Sequence, residues 1–309
     1  MKIHTDFSSF NNGKRSVVTI GTFDGVHLGH KAIINRLKES AEAVGGSSVI
    51  LTFYPHPRMV LYPDDHGLKL LNTPEEKAAL LEKAGVEHLM IYPFSNDFSR
   101  ISAYDYVRNL LVTGLNAQKV IVGYDHRFGR NREGDFKTLS EWAELFDFEV
   151  EEIPVQEIDD VNVSSTKIRQ CLASGDLETA NSYLGYRYSI SGQVIHGAKK
   201  GSTIGFPTAN ISVDYQYKLI PANGVYAIYA DVNASRYKGV MNIGHRPTVE
   251  QTSLLHLEAH LFDFNEDIYD QNIRVELVSR IREEKKFGSI DELKQQIFVD
   301  VASAKSILS

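Results

Sequence analysis

Apolar positions in the first half of the chain switch between two periods. Val17, Val18 and Ile20 form a short β-branched run suited to a strand buried on both faces, and from Leu28 the pattern turns helical through Ala32, Ile33 and Ile34. Further apolar runs predict strands over 48–53, 87–92, 119–122 and 148–155, with helices over 103–112 and 138–146. Thr73-Pro74-Glu75-Glu76 reads as a helix start, with a capping threonine, a proline at the first position and a glutamate three residues on. That helix runs to Gly85, and Thr138 with Glu141 predicts a second capping box. Tyr54-Pro55-His56-Pro57-Arg58 predicts a loop, because neither proline can donate to a strand ladder. Strands alternating with helices predict an α/β fold, a right-handed, doubly wound parallel sheet.

After a short amphipathic helix over 176–184 the pattern changes. β-rich segments follow one another at 188–195, 224–232, 237–243, 254–262 and 273–279, and only 289–308 reads as a long helix, opened by Ser289 and Glu292. This half predicts an antiparallel β-barrel closed by a C-terminal helix. The expected domains are therefore 1–184 and 185–309, and a length of 309 residues suits two cores.

Composition narrows the partners. Against 33 Lys+Arg stand 40 Asp+Glu, and the net charge of −7 argues against generic affinity for nucleic acid or an anionic membrane. A single cysteine, Cys171, excludes an intrachain disulfide and suits a reducing compartment. The first 16 residues lack the apolar core of a signal peptide, and no run approaches transmembrane length, so the expected location is the cytoplasm. Self-association is left open by these features.

The candidate chemistry begins at Gly21–His30, GTFDGVHLGH, which joins the first strand to its helix. Such a turn at the carboxyl edge of a parallel sheet aims backbone N–H groups and the positive end of a helix dipole at one spot, which suits phosphate. His27 and His30 add two imidazoles there, and Gly21, Gly25 and Gly29 keep side chains away from an approaching ligand. Taken alone, the histidines could simply cap the helix. Two further segments follow strands or open helices: Gly123-Tyr124-Asp125-His126-Arg127-Phe128-Gly129, and Val163-Ser164-Ser165-Thr166-Lys167-Ile168-Arg169. The first could be a polar turn and the second an ordinary helix cap.

In the second half, Gly205-Phe206-Pro207-Thr208-Ala209-Asn210 offers hydroxyl and amide oxygens of the hard type that Mg²⁺ prefers, or turn chemistry alone. On a strand, His256, Glu258 and His260 face one way and Leu257, Ala259 and Leu261 the other. Glu258 is then a candidate base or a solvated carboxylate, and the three polar residues together resemble one wall of a metal site.

These segments, in order, resemble the bacterial bifunctional riboflavin kinase/FAD synthetases. The first is similar to the G-x-FDG-x-H-x-GH form of the nucleotidylyltransferase signature, and 164–169 to that family's SST-(R/K)-IR segment. Residues 205–210 match the GFPTAN motif of riboflavin kinases. The match continues through Pro221–Tyr226, Asn242–Thr248 and Leu257–Phe264. The resemblance implies a nucleotidylyltransferase domain that adenylylates FMN to FAD, followed by a kinase domain that makes FMN from riboflavin, with ATP and Mg²⁺ in both steps. It implies that Gly21, Phe23, Asp24, Gly25, His27 and His30 line the adenylylation pocket with Asp125. Ser164, Ser165, Thr166, Lys167 and Arg169 would close over the triphosphate. In the kinase it implies Gly201 and Phe206 at the nucleotide, Thr208 and Asn210 on the metal, and Glu258 as the base.

Two departures stand out. His126 occupies a position where phenylalanine is common in relatives, and Ser202 in 199–205 stands where many have arginine. The second raises the alternative of an FMN adenylyltransferase with a weakened kinase. A non-catalytic flavin-binding regulatory protein is another.

Overall fold

The computed structural model describes residues 1–10, 13–65, 67–153, 163–197, 205–247 and 253–309, with backbone alone at 245–247 and 253–254. Gly201 and Ser202 lie outside the described residues. The chain divides into two compact units, Met1–Ser165 and Thr166–Ser309.

The first unit is built on six parallel strands: β1 (Lys2–His4), β2 (Ser16–Ile20), β3 (Ser47–Tyr54), β4 (His88–Pro93), β5 (Ala117–Gly123) and β6 (Glu149–Ile153). Their spatial order is β1-β4-β3-β2-β5-β6. Alternate residues of each central strand enter opposite cores. Val18, Val49, Leu51, Met90, Val120 and Val122 face one side, and Val17, Ile50, Leu89 and Ile121 the other. Both faces are covered, which explains the uninterrupted apolar runs. Helices α1 (Leu28–Ala43) and α3 (Pro74–Lys83) cover the second face. On the first lie α4 (Ala103–Tyr106), which continues in wider turns over Val107–Gly114, and α5 (Phe136–Phe146).

Several boundaries differ from the sequence pattern. The 54–58 segment is not loop throughout: β3 reaches Tyr54 and a short helix, α2 (Pro57–Leu61), starts at the second proline with His56 as its cap. Helix α5 opens at Phe136 rather than Thr138, because Asp135 caps it and accepts from both the backbone N–H and the hydroxyl of Thr138 at 2.9 Å. Strand β1, a parallel edge strand, has no counterpart among the predicted elements.

The second unit is a closed barrel ordered β10-β11-β8-β7-β12-β9. Its strands are β7 (Ser189–Ile195), β8 (Ala209–Ser212), β9 (Gly224–Val232), β10 (Ser235–Pro247), β11 (Ser253–Leu261) and β12 (Asn272–Arg282). All neighbouring pairs are antiparallel. Two helices precede it, α6 (Ser165–Ser174) and α7 (Leu177–Leu184), and both are hydrogen-bonded to barrel-side backbone. The Leu172 carbonyl accepts from Ala222 at 2.9 Å, while the Asn181 amide bridges Tyr188 N–H at 2.7 Å and the Leu277 carbonyl at 3.1 Å.

Helix α8 (Ile290–Ile307) packs Ala304, with Leu308 beyond its end, against Val225, Ala227 and Val240. A helix cannot fit inside six strands, so these residues mark the barrel's outer face. The interior holds the alternate set, including Tyr226, Ile228, Met241, Ile243, Leu257 and Ala259, all buried. Arg282 clamps α8 with three bonds to Asp300, from Nε at 2.9 and 3.1 Å and from Nη2 at 2.7 Å.

Candidate active sites

In the first unit β2 sits where the strand order reverses, between β3 and β5. Ligands of open α/β sheets bind at this point, beyond the carboxyl ends of the strands. Because β2 and β5 are parallel neighbours, the Gly21–His30 loop and the 123–129 loop leave the same edge of the sheet.

His27 is the N-cap of α1, and its Nδ1 accepts from the His30 N–H at 3.4 Å. The two imidazoles stack with centroids 3.7 Å apart and planes 19° from parallel. His30 Nδ1 is buried and has no hydrogen-bond partner among the described residues. Burial lowers the His30 pKa well below the ordinary histidine value, and repulsion by His27 and Lys77 lowers it further. His30 is therefore a neutral imidazole at pH 7, able to donate one hydrogen bond to a phosphate oxygen without carrying charge.

Not every residue of the loop points at a ligand. The Phe23 ring is buried in the α1 core with Ile34 and Leu37. Asp24 is also buried, and its Oδ1 accepts from Leu71 N–H at 2.9 Å. The Asp24 carbonyl accepts from the Ser165 hydroxyl at 2.8 Å. Gly25 has a φ of +88°, a left-handed conformation that glycine adopts without strain. Asp125 and Ser164 are exposed, as is Thr166, whereas Lys167 and Arg169 are half-buried on α6, which is anchored by buried Ile168 and Leu172.

Around His126 the loop is compact. The His126 N–H donates to Gly123 at 3.0 Å, its ring stacks over Phe128 with centroids 5.8 Å apart, and its Nε2 is buried without a partner among the described residues. Burial pushes the imidazole pKa down to about 4.

The barrel gathers the other candidates on its outer face. Glu258 of β11 lies opposite Asn210 of β8 on one side and opposite Asn242 of β10 on the other. Directly opposed residues share a face, with Cβ atoms about 4.5–5.5 Å apart. Since Asn242 lies two residues from Val240, which packs on α8, all three belong to the α8-covered side. The alternation along β11 matches the sequence pattern, with Leu257 and Ala259 buried and His256, Glu258 and His260 half-buried.

The 205–210 segment is pinned to this face. His260 Nδ1 hydrogen-bonds the Pro207 carbonyl at 2.8 Å, and the Phe206 ring lies edge-on to His260 and to Phe298 of α8, at 5.5 and 5.0 Å between centroids. A Cβ on Gly197 would fall 2.1 Å from Asn210 Nδ2, so that glycine makes the cradle in which the Asn210 amide sits. Thr208, Asn210 and Glu258 thus offer hydroxyl, amide and carboxylate oxygens, a donor set that fits Mg²⁺. Among the described residues no three His, Cys, Asp or Glu side chains come together as a metal cage. The three-residue wall His256–Glu258–His260 accordingly gains no further ligand of those types.

The order of these sites matches two known domains. Residues 9–167 match the FAD synthetase model, and residues 184–308 match the riboflavin kinase model. The chain belongs to the bifunctional riboflavin kinase/FMN adenylyltransferase family. The protein of that name from Bacillus subtilis (strain 168) is 40% identical over 94% of this chain and 92% of its own length. The Pseudomonas fluorescens protein is 38% identical over 94% and 92%. This chain is also similar to a crystal structure described as a macrolide-efflux protein from Streptococcus pneumoniae, 31% identical, with a TM-score of 0.86 over 96% of each chain. Among the described residues no helix is long and apolar enough to cross a membrane.

Membership explains the spacing of the motifs, while two residues close to the sites belong to none of the sites read from sequence. Asn242 flanks Glu258, and Lys77 reaches the Gly21–His30 loop from α3, donating to the Thr22 carbonyl at 2.7 Å. Asn242 opens the Asn242–Thr248 segment that matches the family, but its place beside Glu258 shows only in the strand pairing. Lys77 looks like any lysine of an amphipathic helix.

Proposed function

We propose that this chain makes FMN from riboflavin and ATP in its barrel domain, 185–309, and FAD from FMN and ATP in its sheet domain, 1–184. Both steps are transfers from ATP, and each uses its own residues.

In the kinase step the ribityl 5′-hydroxyl attacks the γ-phosphorus of ATP, the bond to the β-phosphate oxygen breaks, and ADP leaves. Glu258 takes the hydroxyl proton, a general-base role that requires the carboxylate within hydrogen-bond reach of the substrate oxygen. Thr208 and Asn210 hold Mg²⁺, which neutralises phosphate charge when bound. Phe206, wedged between α8 and β11, shapes the wall beside them, and the family resemblance assigns Gly201 to the nucleotide.

In the adenylyl step a phosphate oxygen of FMN attacks the α-phosphorus and pyrophosphate leaves. His27 and His30 donate hydrogen bonds to the α-phosphate beside the N-terminus of α1, where charge builds up as the bond forms. Gly21 and Gly25 give that phosphate access to the backbone. Asp24 and Phe23 act behind the loop, holding it in shape, and Asp125 orients the ligand from the neighbouring strand end. Ser164, Ser165, Thr166, Lys167 and Arg169 bind the leaving pyrophosphate, the two cations supplying charge. Lys167 gives a point charge where arginine would give a fork. Work on soluble flavins and ATP supports a cytoplasmic location.

The observation that carries the kinase reading is the opposition of Glu258 and Asn210 across β11 and β8. Chromatography of flavins over time, from riboflavin, ATP and Mg²⁺, tests both steps. The expected course is FMN followed by FAD. FAD formed only from supplied FMN selects an adenylyltransferase with a failed kinase, and no product selects a binding protein.

A further inference from the structure

The turn that carries the paired histidines is conformationally costly. Phe23 and Val26 have φ values of 47° and 37°, a left-handed region that side chains with a Cβ resist, and a β-branched residue most of all. Each such residue relaxes unless its surroundings hold it.

Two of the holding contacts come from one stretch. Asp24 accepts from Leu71 N–H at 2.9 Å, and Lys77 Nζ donates to the Thr22 carbonyl at 2.7 Å, so both sides of Phe23 are tied to 71–77. The Thr52 hydroxyl reaches the same Thr22 carbonyl at 3.4 Å. The support itself is rigid. Helix α3 starts with a reciprocal capping box between Thr73 and Glu76, and Ala78 and Leu81 are buried in the core that also holds Phe23.

Lys77 is an expensive residue to use as a strut. Burial lowers its pKa, and the Asp24 charge opposes that shift. An ammonium drawn from water toward a carbonyl is a poor exchange if packing alone is wanted. A held turn that must receive phosphate explains it better.

Resting on the adenylyltransferase reading above, we propose that Lys77 is a positioning residue of that site. Its ammonium clamps the Thr22 carbonyl and thereby holds the strained turn that aims His27 and His30 at the nucleotide phosphate.

The test uses the full chain with Lys77→Met and Lys77→Arg, measuring FAD formation from FMN, FMN formation from riboflavin, and the titration of the His30 ring by NMR. In Lys77→Met the kcat for FAD formation is expected to fall about 10- to 100-fold, the scale of a catalytic group moved by an ångström. The KM for FMN and the kinase rate should stay within about twofold, since neither depends on aiming the α-phosphate. The His30 midpoint should rise, because the groups that face it and repel its proton are His27 and Lys77, and one of them is gone. Lys77→Arg should restore both the rate and the midpoint. Where Lys77→Met does not fold, Lys77→Gln carries the same expectations.

An unimpaired Lys77→Met, or a loss that arginine does not repair with His30 unmoved, overturns the assignment while wild-type FAD formation stands. A wild-type chain that makes no FAD from FMN overturns the functional reading, and this assignment with it.

Discussion

Glu258 and Asn210 face each other across two adjacent strands of the barrel, one a carboxylate and one an amide, on the side that α8 covers. Replacing Glu258 with Gln keeps the shape and removes the proton acceptor. FMN formation should fall by about 10²- to 10⁴-fold, the usual contribution of a positioned base. FAD formation from supplied FMN should continue. Equal loss of both activities in a folded variant would contradict separate sites.

His30→Ala should give the converse result, with FAD formation lost and FMN formation retained. The removed ring is neutral, so the loss reflects a missing hydrogen-bond donor rather than a missing charge. Steady-state assays of each reaction on one preparation decide the matter.

Gly197→Ala isolates the Asn210 cradle. The added methyl group would meet the amide nitrogen at 2.1 Å, and a side-chain end can turn away at little cost in stability. The thermal transition should therefore stay nearly unchanged, while FMN formation drops about tenfold through displaced ligands and half-maximal rate needs more Mg²⁺. An Mg²⁺ titration showing no change would show that Asn210 does not serve the metal.

Acid should weaken the sheet domain through His126. The unfolded imidazole takes a proton below about pH 6.5, whereas the folded one resists until about pH 4. The unfolded state thus binds more protons in that window, and stability, fully present above it, is lost as pH falls toward the folded value. The difference amounts to about 3 kcal/mol at most. His126→Phe should flatten this slope in urea midpoints measured between pH 4 and 7, and an unchanged slope would refute the account.

Asp300→Ala removes the acceptor for all three Arg282 bonds and for Gln296, which donates to Asp300 at 2.9 Å. Breaking a buried ion pair typically costs about 3–5 kcal/mol. The barrel's thermal transition should fall and kinase activity should be lost at lower temperature than FAD formation, with Asp300→Asn milder.

Much of this architecture could be read from the chain because its signals are local. The Gly21–His30 turn follows an apolar strand and opens a helix, so its position at the sheet edge needed no tertiary information. The Thr73 capping box was equally direct. Strand β8 was not, because Pro207, Thr208 and Asn210 resemble a turn, and pairing with β7 on one side and β11 on the other makes four residues a strand. The start of α5 was misplaced by the same logic: Thr138 has capping chemistry, but Asp135 holds the cap in space. Lys77 left no signal, since charge on a helix face reads as solvated until a carbonyl is found against it.

Glu258, Asn210 and Asn242 stand on the barrel's outer wall, and this separates two kinds of physical constraint. Side chains filling the lumen, such as Met241 and Ile243, answer to volume and cohesion alone, and can be exchanged for others of similar bulk without disturbing the face that bears Glu258. The terminal helix has no such freedom: it covers the wall that carries Glu258 and staples the fold at once, so any change in it is felt twice.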